Sequence, residues 1–274
     1  MKTQRLLAAS LAIMAVQTLA GQGAAAHEDA VAHVDTGIEP FSAQFQAEWK
    51  GITVGTSKIA LRPDAEPGHY VYTWVVTARG IFRLAYSDDL VQTSWLSIDS
   101  DHARPEKYLG KQGANSVAVN FDWPNKRATG ESEGKPVDLP LTDGIQDVMS
   151  IQVEVMLDLR NGNLPKIFHI IDKDQLKEFS YSQEGSAKIK TAIGQLDTVI
   201  VTSQQTGNNR ILKMWFASSL GYVPVQAERS RNGKLELAMR IKSLNRQAPQ
   251  RVTRRSGPGQ ISSQVFGNVT PRWP

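Results

Sequence analysis

The chain has 274 residues, with 31 Lys and Arg against 27 Asp and Glu, a formal net charge of +4, and 41% hydrophobic residues. That is enough apolar material for one large core or two small ones. There is no cysteine, which excludes disulfide frameworks, thiolate zinc sites, c-type haem and cysteine nucleophiles.

The chain opens with Lys2 and Arg5, a nearly unbroken apolar run from Leu6 to Ala20, and the small residues Ala24-Ala25-Ala26. This order predicts a signal peptide over residues 1–26, cleaved between Ala26 and His27, and hence an exported, periplasmic protein. The apolar run is short for a membrane-spanning helix. No later stretch is apolar enough to span, so the mature chain is expected to have no transmembrane segment. Leaving out Lys2 and Arg5, and the tail arginines Arg251, Arg254, Arg255 and Arg272, leaves 25 basic against 27 acidic groups in residues 27–246. A domain of net charge −2 has no positive excess with which to displace counterions, which argues against nucleic acid as a partner.

Residues 27–40 are acidic and aperiodic and read as a loose leader. From Phe41 the period is two: Phe41, Ala43, Phe45, Ala47 and Trp49 alternate with Ser42, Gln44, Gln46 and Glu48, as in a strand with one face on a core. Lys50-Gly51 breaks the run, and Ile52 to Leu61 reads as its hairpin partner. The same alternation recurs at Val117, Val119, Phe121 and Trp123, and at Leu235, Leu237, Met239 and Ile241. Strands with less contrast are expected at 69–78, 90–99, 104–111, 166–171, 175–189, 196–205, 210–217 and 222–230. Asn232-Gly233, between two such runs, is a hairpin signal.

One segment has a helical period. Thr142 or Asp143 can cap a helix over about 145–160, and Gly162 closes it. Short strands about ten residues apart around one helix predict a mainly β fold. The expected form is an antiparallel curved sheet, a β-roll or open barrel, with the helix covering one end. Residues 41–246 form the single domain. The polar, broken stretch 247–274 reads as a disordered basic tail, able to touch an anionic envelope surface.

Several landmarks together resemble a known family. They are Phe45 and Trp49 before Gly51-Ile52-Thr53-Val54-Gly55, Tyr70 and Tyr72 leading to Gly80, and Pro105-Glu106-Lys107-Tyr108. They continue through Val117–Asp122, Asp147-Val148-Met149-Ser150 with Leu159-Arg160, Lys213-Met214-Trp215-Phe216 and Gly221–Val225. In this order they resemble the bacterial family known as domain of unknown function 3108 over roughly residues 41–246. The resemblance implies an exported, rolled antiparallel β fold and no assigned reaction.

The histidines sit in no catalytic or metal motif. His27 and His33 lie in the leader, His69 and His102 in turns, and His169 within a strand; there is no Gly-x-Ser-x-Gly elbow. A serine triad assembled in space from His102 or His169 is a weak alternative. His-x-His, His-Glu-x-x-His and EF-hand spacings are absent, so no metal and no cofactor is expected. An N-terminal His27, exposed by cleavage, could chelate copper through its amine and ring, but a polar leader explains the same residues. Paired acids at Asp88-Asp89, Asp99/Asp101, Glu131/Glu133 and Asp172/Asp174 flank turns and are read as structural.

The remaining signal is aromatic and basic. Tyr70, Tyr72 and Trp74 share one face of a strand whose other face is also apolar, and Arg79, Phe82 and Arg83 follow in a loop. This set would suit an acyl chain with an acidic headgroup. The leading expectation is a non-enzymatic binding or chaperone-like module for an apolar envelope lipid or an extended polypeptide partner. The alternatives are a cell-envelope scaffold docking through a strand edge or the basic tail and a hydrolase with a spatially assembled site.

Overall fold

The computed structural model describes residues 38–99 and 101–246. The expected signal peptide, most of the expected leader, the expected tail and the candidate copper ligands His27 and His33 lie outside the described residues.

The first half of the domain is a meander of β1 (Phe41–Trp49), β2 (Ile52–Pro63), β3 (His69–Ala78), β4 (Leu90–Ile98), β5 (Ala103–Gln112), β6 (Asn115–Asp122), β7 (Arg127–Ser132) and β8 (Lys135–Pro140). A four-residue helix, α1 (Phe82–Ala85), sits between β3 and β4. The short strand β9 (Gln146–Asp147) then leads into α2 (Ser150–Asn161). The second half is β10 (Ile167–Asp172), β11 (Gln175–Thr191), β12 (Gly194–Gln205), β13 (Arg210–Ala217), β14 (Val223–Arg231) and β15 (Lys234–Arg246).

All fifteen strands form one open sheet, in the order β8-β7-β6-β5-β4-β3-β2-β1-β15-β14-β13-β12-β11-β10-β9. Neighbours are antiparallel except β9 and β10, which the helical crossover leaves parallel. The expected curved antiparallel sheet with a covering helix is therefore the fold. Among the described residues the one pairing between strands far apart in sequence is β1 with β15, in register from Phe41↔Arg246 to Trp49↔Leu237 with a shift between Gln44 and Phe45.

Most expected strands appear within a residue or two of their ranges. The hairpin β7–β8 was not anticipated, because only Ala128, Ser132 and Val137 of its strands are buried and so small an apolar set gives almost no period-two signal. Its turn is nonetheless explicit, since Glu133 (φ 51°) and Gly134 (φ 79°) take the two left-handed positions of a tight hairpin. Asn232 (φ 49°) and Gly233 (φ 74°) do the same in the β14–β15 hairpin that the sequence signalled.

The helix begins later than its apolar period suggests. Asp147 accepts hydrogen bonds from the N–H groups of Met149 (2.7 Å) and Ser150 (2.8 Å) and from the Ser94 hydroxyl (2.6 Å). Its own N–H donates to Ser150 Oγ at 2.9 Å. Asp147 thus satisfies two backbone donors at the helix start and fixes the start at Ser150, while Ile145 and Gln146 go to the core and to β9. Gly162 (φ 69°) ends the helix as expected. Helix α2 is buried nearly all round, and Ile151, Val153, Val155, Met156, Leu157 and Leu159 are all inside, as in a helix enclosed by its own domain. It fills the concave side, where Tyr72, wholly buried, donates its hydroxyl to Gln152 Oε1 at 2.9 Å.

Strand directions sort the turns into two groups. The β1–β2, β3–β4, β5–β6, β7–β8, β10–β11, β12–β13 and β14–β15 turns gather at one end of the sheet. Lys173–Glu133 (2.8 Å) and Asn209–Asn232 (2.8 Å) link some of them. The β2–β3, β4–β5, β6–β7, β11–β12 and β13–β14 connections lie at the other, which we call the helix end, because there His102 meets Glu154 of α2 and Met156 lies beside Leu220 and Val223.

Candidate functional site

The six residues singled out as a possible ligand site divide between these environments. Tyr70 and Tyr72 are buried in the core, and Trp74 packs against it with its indole N–H donating to Ser57 Oγ at 2.6 Å. They alternate along β3 toward the concave side, which α2 and the core occupy. Arg79, Phe82 and Arg83 lie at the turn end, in the β3–β4 connection.

That connection places large apolar side chains in water. Ile81 is 76% exposed and Leu84 89% exposed, and Tyr86 is also exposed. The adjacent β1–β2 turn adds exposed Trp49 and Ile52. Trp49 and Phe82 meet edge to face at 6.3 Å, joining the two turns into one surface. Cations border it: Lys50 Nζ lies 4.7 Å from the centre of the Trp49 ring, and Arg79 and Arg83 flank Ile81. Asp89 braces the connection, accepting from Arg83 (2.5 Å) and from the Thr77 hydroxyl (2.9 Å). Those two donors, Arg83 first, hold the Asp89 carboxyl below its usual range. A depression of about 630 Å³ bounded by Asp88, Asp89, Val91, Leu109 and Lys111 adjoins it. On the helix side the groove lined by Ile38, Met156, Leu220, Val223 and Arg246 amounts to about 180 Å³.

The helix end has the opposite character. Glu154 and Asp158 are one turn apart on α2, and both are buried. Glu154 Oε2 accepts from the Ala103 N–H at 2.6 Å, and Oε1 faces His102 Nδ1 at 2.9 Å. His102 sits in the β4–β5 turn, whose shape is set by Asp99 Oδ1 accepting from the N–H groups of Asp101 (2.9 Å) and His102 (2.7 Å). Asp158 Oδ2 has no hydrogen-bond partner. Burial, and then the neighbouring Glu154 charge, push the Asp158 carboxyl up to about 7. Burial also raises Glu154, against the donors Ala103 and His102, and the hydrogen bond to Glu154 raises His102.

Sequence reasoning placed His102 in a turn and weighed it only for a spatially assembled serine triad, and did not single out Glu154 or Asp158. The usable signal was a Glu-x-x-x-Asp spacing inside an otherwise apolar helix, which puts both acids on one face. The other described histidines stand apart: His69 pairs with Glu106 at 3.0 Å, and His169 faces Glu178 at 3.9 Å.

No helix among the described residues is long and apolar enough to cross a membrane. Several solved structures are similar in fold. MucB in complex with MucA(peri) is 10% identical, with a TM-score of 0.33 over 79% of this chain and 53% of that one. The chain therefore spans about half the length of MucB. A protein from Bacteroides fragilis described as exported, with a YmcC-like fold, is 10% identical (TM-score 0.33; 76% and 96% covered). A protein from Parabacteroides distasonis described as a lipoprotein is 9% identical (TM-score 0.31; 76% and 95% covered). Among curated proteins none matches the chain. The family model described as "Protein of unknown function (DUF3108)" matches residues 44–240, and the chain belongs to that family.

Proposed function

We propose that this is an exported, non-enzymatic binding module of the cell envelope that docks on anionic phospholipid through its turn end. The observation behind this reading is the surface of Trp49, Ile52, Ile81, Leu84 and Tyr86 standing in water between Lys50, Arg79 and Arg83. Large exposed apolar patches mark interaction surfaces. Apolar tips mixed with aromatic rings and cations match the boundary between acyl chains and charged headgroups. Arg79, Phe82 and Arg83 are assigned the lipid-facing role in this reading, whereas Tyr70, Tyr72 and Trp74 belong to the core beside α2 and are not part of the surface. The arginines of the tail would add attraction to the same anionic surface.

The test is co-sedimentation with vesicles of phosphatidylglycerol and phosphatidylcholine. Binding should require phosphatidylglycerol and weaken with salt. Burying a large aliphatic side chain is worth about 1.5–3 kcal/mol, so the double variant Ile81→Asp/Leu84→Asp should bind at least roughly 100-fold more weakly at unchanged thermal stability. Wild-type protein that ignores these vesicles, or a double variant that binds them equally well, would refute the reading.

A further inference from the structure

We propose that His102, Glu154 and Asp158 form a binding site for a single divalent transition-metal ion of the zinc class at the helix end of the sheet. The inference is independent of lipid docking, which concerns the opposite end.

Each of the three side chains offers one donor atom, and these atoms lie within 4.8 Å of one another. One imidazole and two carboxylates are a donor set that zinc accepts, at metal–donor distances of about 2.0–2.2 Å. Donors around such an ion sit roughly 3.4 Å apart if it is tetrahedral. His102 and Glu154 are already near that separation, and an Asp158 oxygen lies within 4.8 Å of both.

The surroundings hold the donors in place. The Ala103 N–H takes up Glu154 Oε2 and leaves Oε1 facing His102. Asp99 fixes the turn that carries the imidazole, and Asn161 Nδ2, at the end of α2, donates to Asp101 Oδ1 at 3.2 Å, tying that turn to the helix. Such outer contacts commonly orient metal ligands. The side that needs a cation is equally clear. Asp158 is 4% exposed and Glu154 5%, and Asp158 Oδ2 is unpartnered. Two carboxylates in so little water call for a cation or a proton. The His102 side chain is 68% exposed, which gives an ion a way in from solvent. Sequence spacing predicted no metal because the histidine and the acids lie on separate elements, some fifty residues apart.

The experiment is titration of the chelator-treated full-length exported protein with Zn²⁺ by calorimetry, with bound metal counted after dialysis. Wild-type protein should take up one ion and gain thermal stability on doing so. His102→Ala, at a solvent-exposed side chain, and Asp158→Asn should each weaken binding at least roughly tenfold. Circular dichroism of the metal-free variants checks their fold; should Asp158→Asn misfold, His102→Ala decides. Wild-type protein without stoichiometric zinc, or a folded His102→Ala variant with wild-type affinity, would overturn the site.

Discussion

At the turn end, Ile81 and Leu84 stand in water; at the helix end, Glu154 and Asp158 are shut away from it. The two departures from ordinary partitioning differ in what they ask of the protein. An exposed leucine forgoes burial energy but strains nothing, so the isolated fold tolerates it, and its consequence appears only when another surface arrives. A buried carboxylate acts on the fold itself, because it must find donors, a proton or a cation within the domain. The turn end is therefore free to vary without unfolding the protein, and the helix end is not.

The sharpest way to break this comparison is to make one substitution at both ends. Leu157→Ala, in the buried face of α2, should cost about 3–5 kcal/mol in urea denaturation. Leu84→Ala should change stability by less than about 0.5 kcal/mol. Similar costs at both positions would mean that α1 is packed in solution. A second, smaller effect is expected at the helix start. Asp147→Ala strands two N–H groups and the Ser94 hydroxyl, and should cost about 2–3 kcal/mol; a near-neutral result would show that water or Ser150 replaces the carboxylate.

The smallest effect concerns the brace under α1. Because Arg83 and Thr77 hold the Asp89 carboxyl below its unfolded value, this contribution is present above the ordinary carboxylate range and is lost as pH falls through the lower folded value. Arg83→Ala should cost less than about 1 kcal/mol at neutral pH, as for other exposed pairs. The difference from wild type should shrink in acid; a difference that persists at low pH would place the role of Arg83 in packing rather than charge.

The sheet was legible in the sequence because its long strands alternate cleanly, as Phe41 to Trp49 does, and because Asn232-Gly233 names its own turn. The helix was legible in kind but not in start, since Ile145 and Met149 extend its apolar stripe while Asp147, a polar residue with local hydrogen bonds, decides the boundary. The sites were much less visible. Tyr70, Tyr72 and Trp74 have the composition of a ligand groove and of a core strand alike, and only the position of α2 separates the two. The His102–Glu154 contact joins residues 52 apart in sequence, a distance across which no spacing rule operates.

The pairing of β1 with β15 has a consequence for how the chain becomes a protein. Among the described residues the two half-sheets pair strand to strand only along that seam, whose strands are the first and last of the domain. A chain delivered from its N-terminus can form the β1–β8 meander early, but β1 keeps an open edge until residues 234–246 arrive. Contacts so distant in sequence slow folding, and an unpaired apolar strand edge invites association with other chains. Emergence of the last strand is thus the committing step, and a truncation just before Lys234 should yield an aggregating chain rather than a smaller domain.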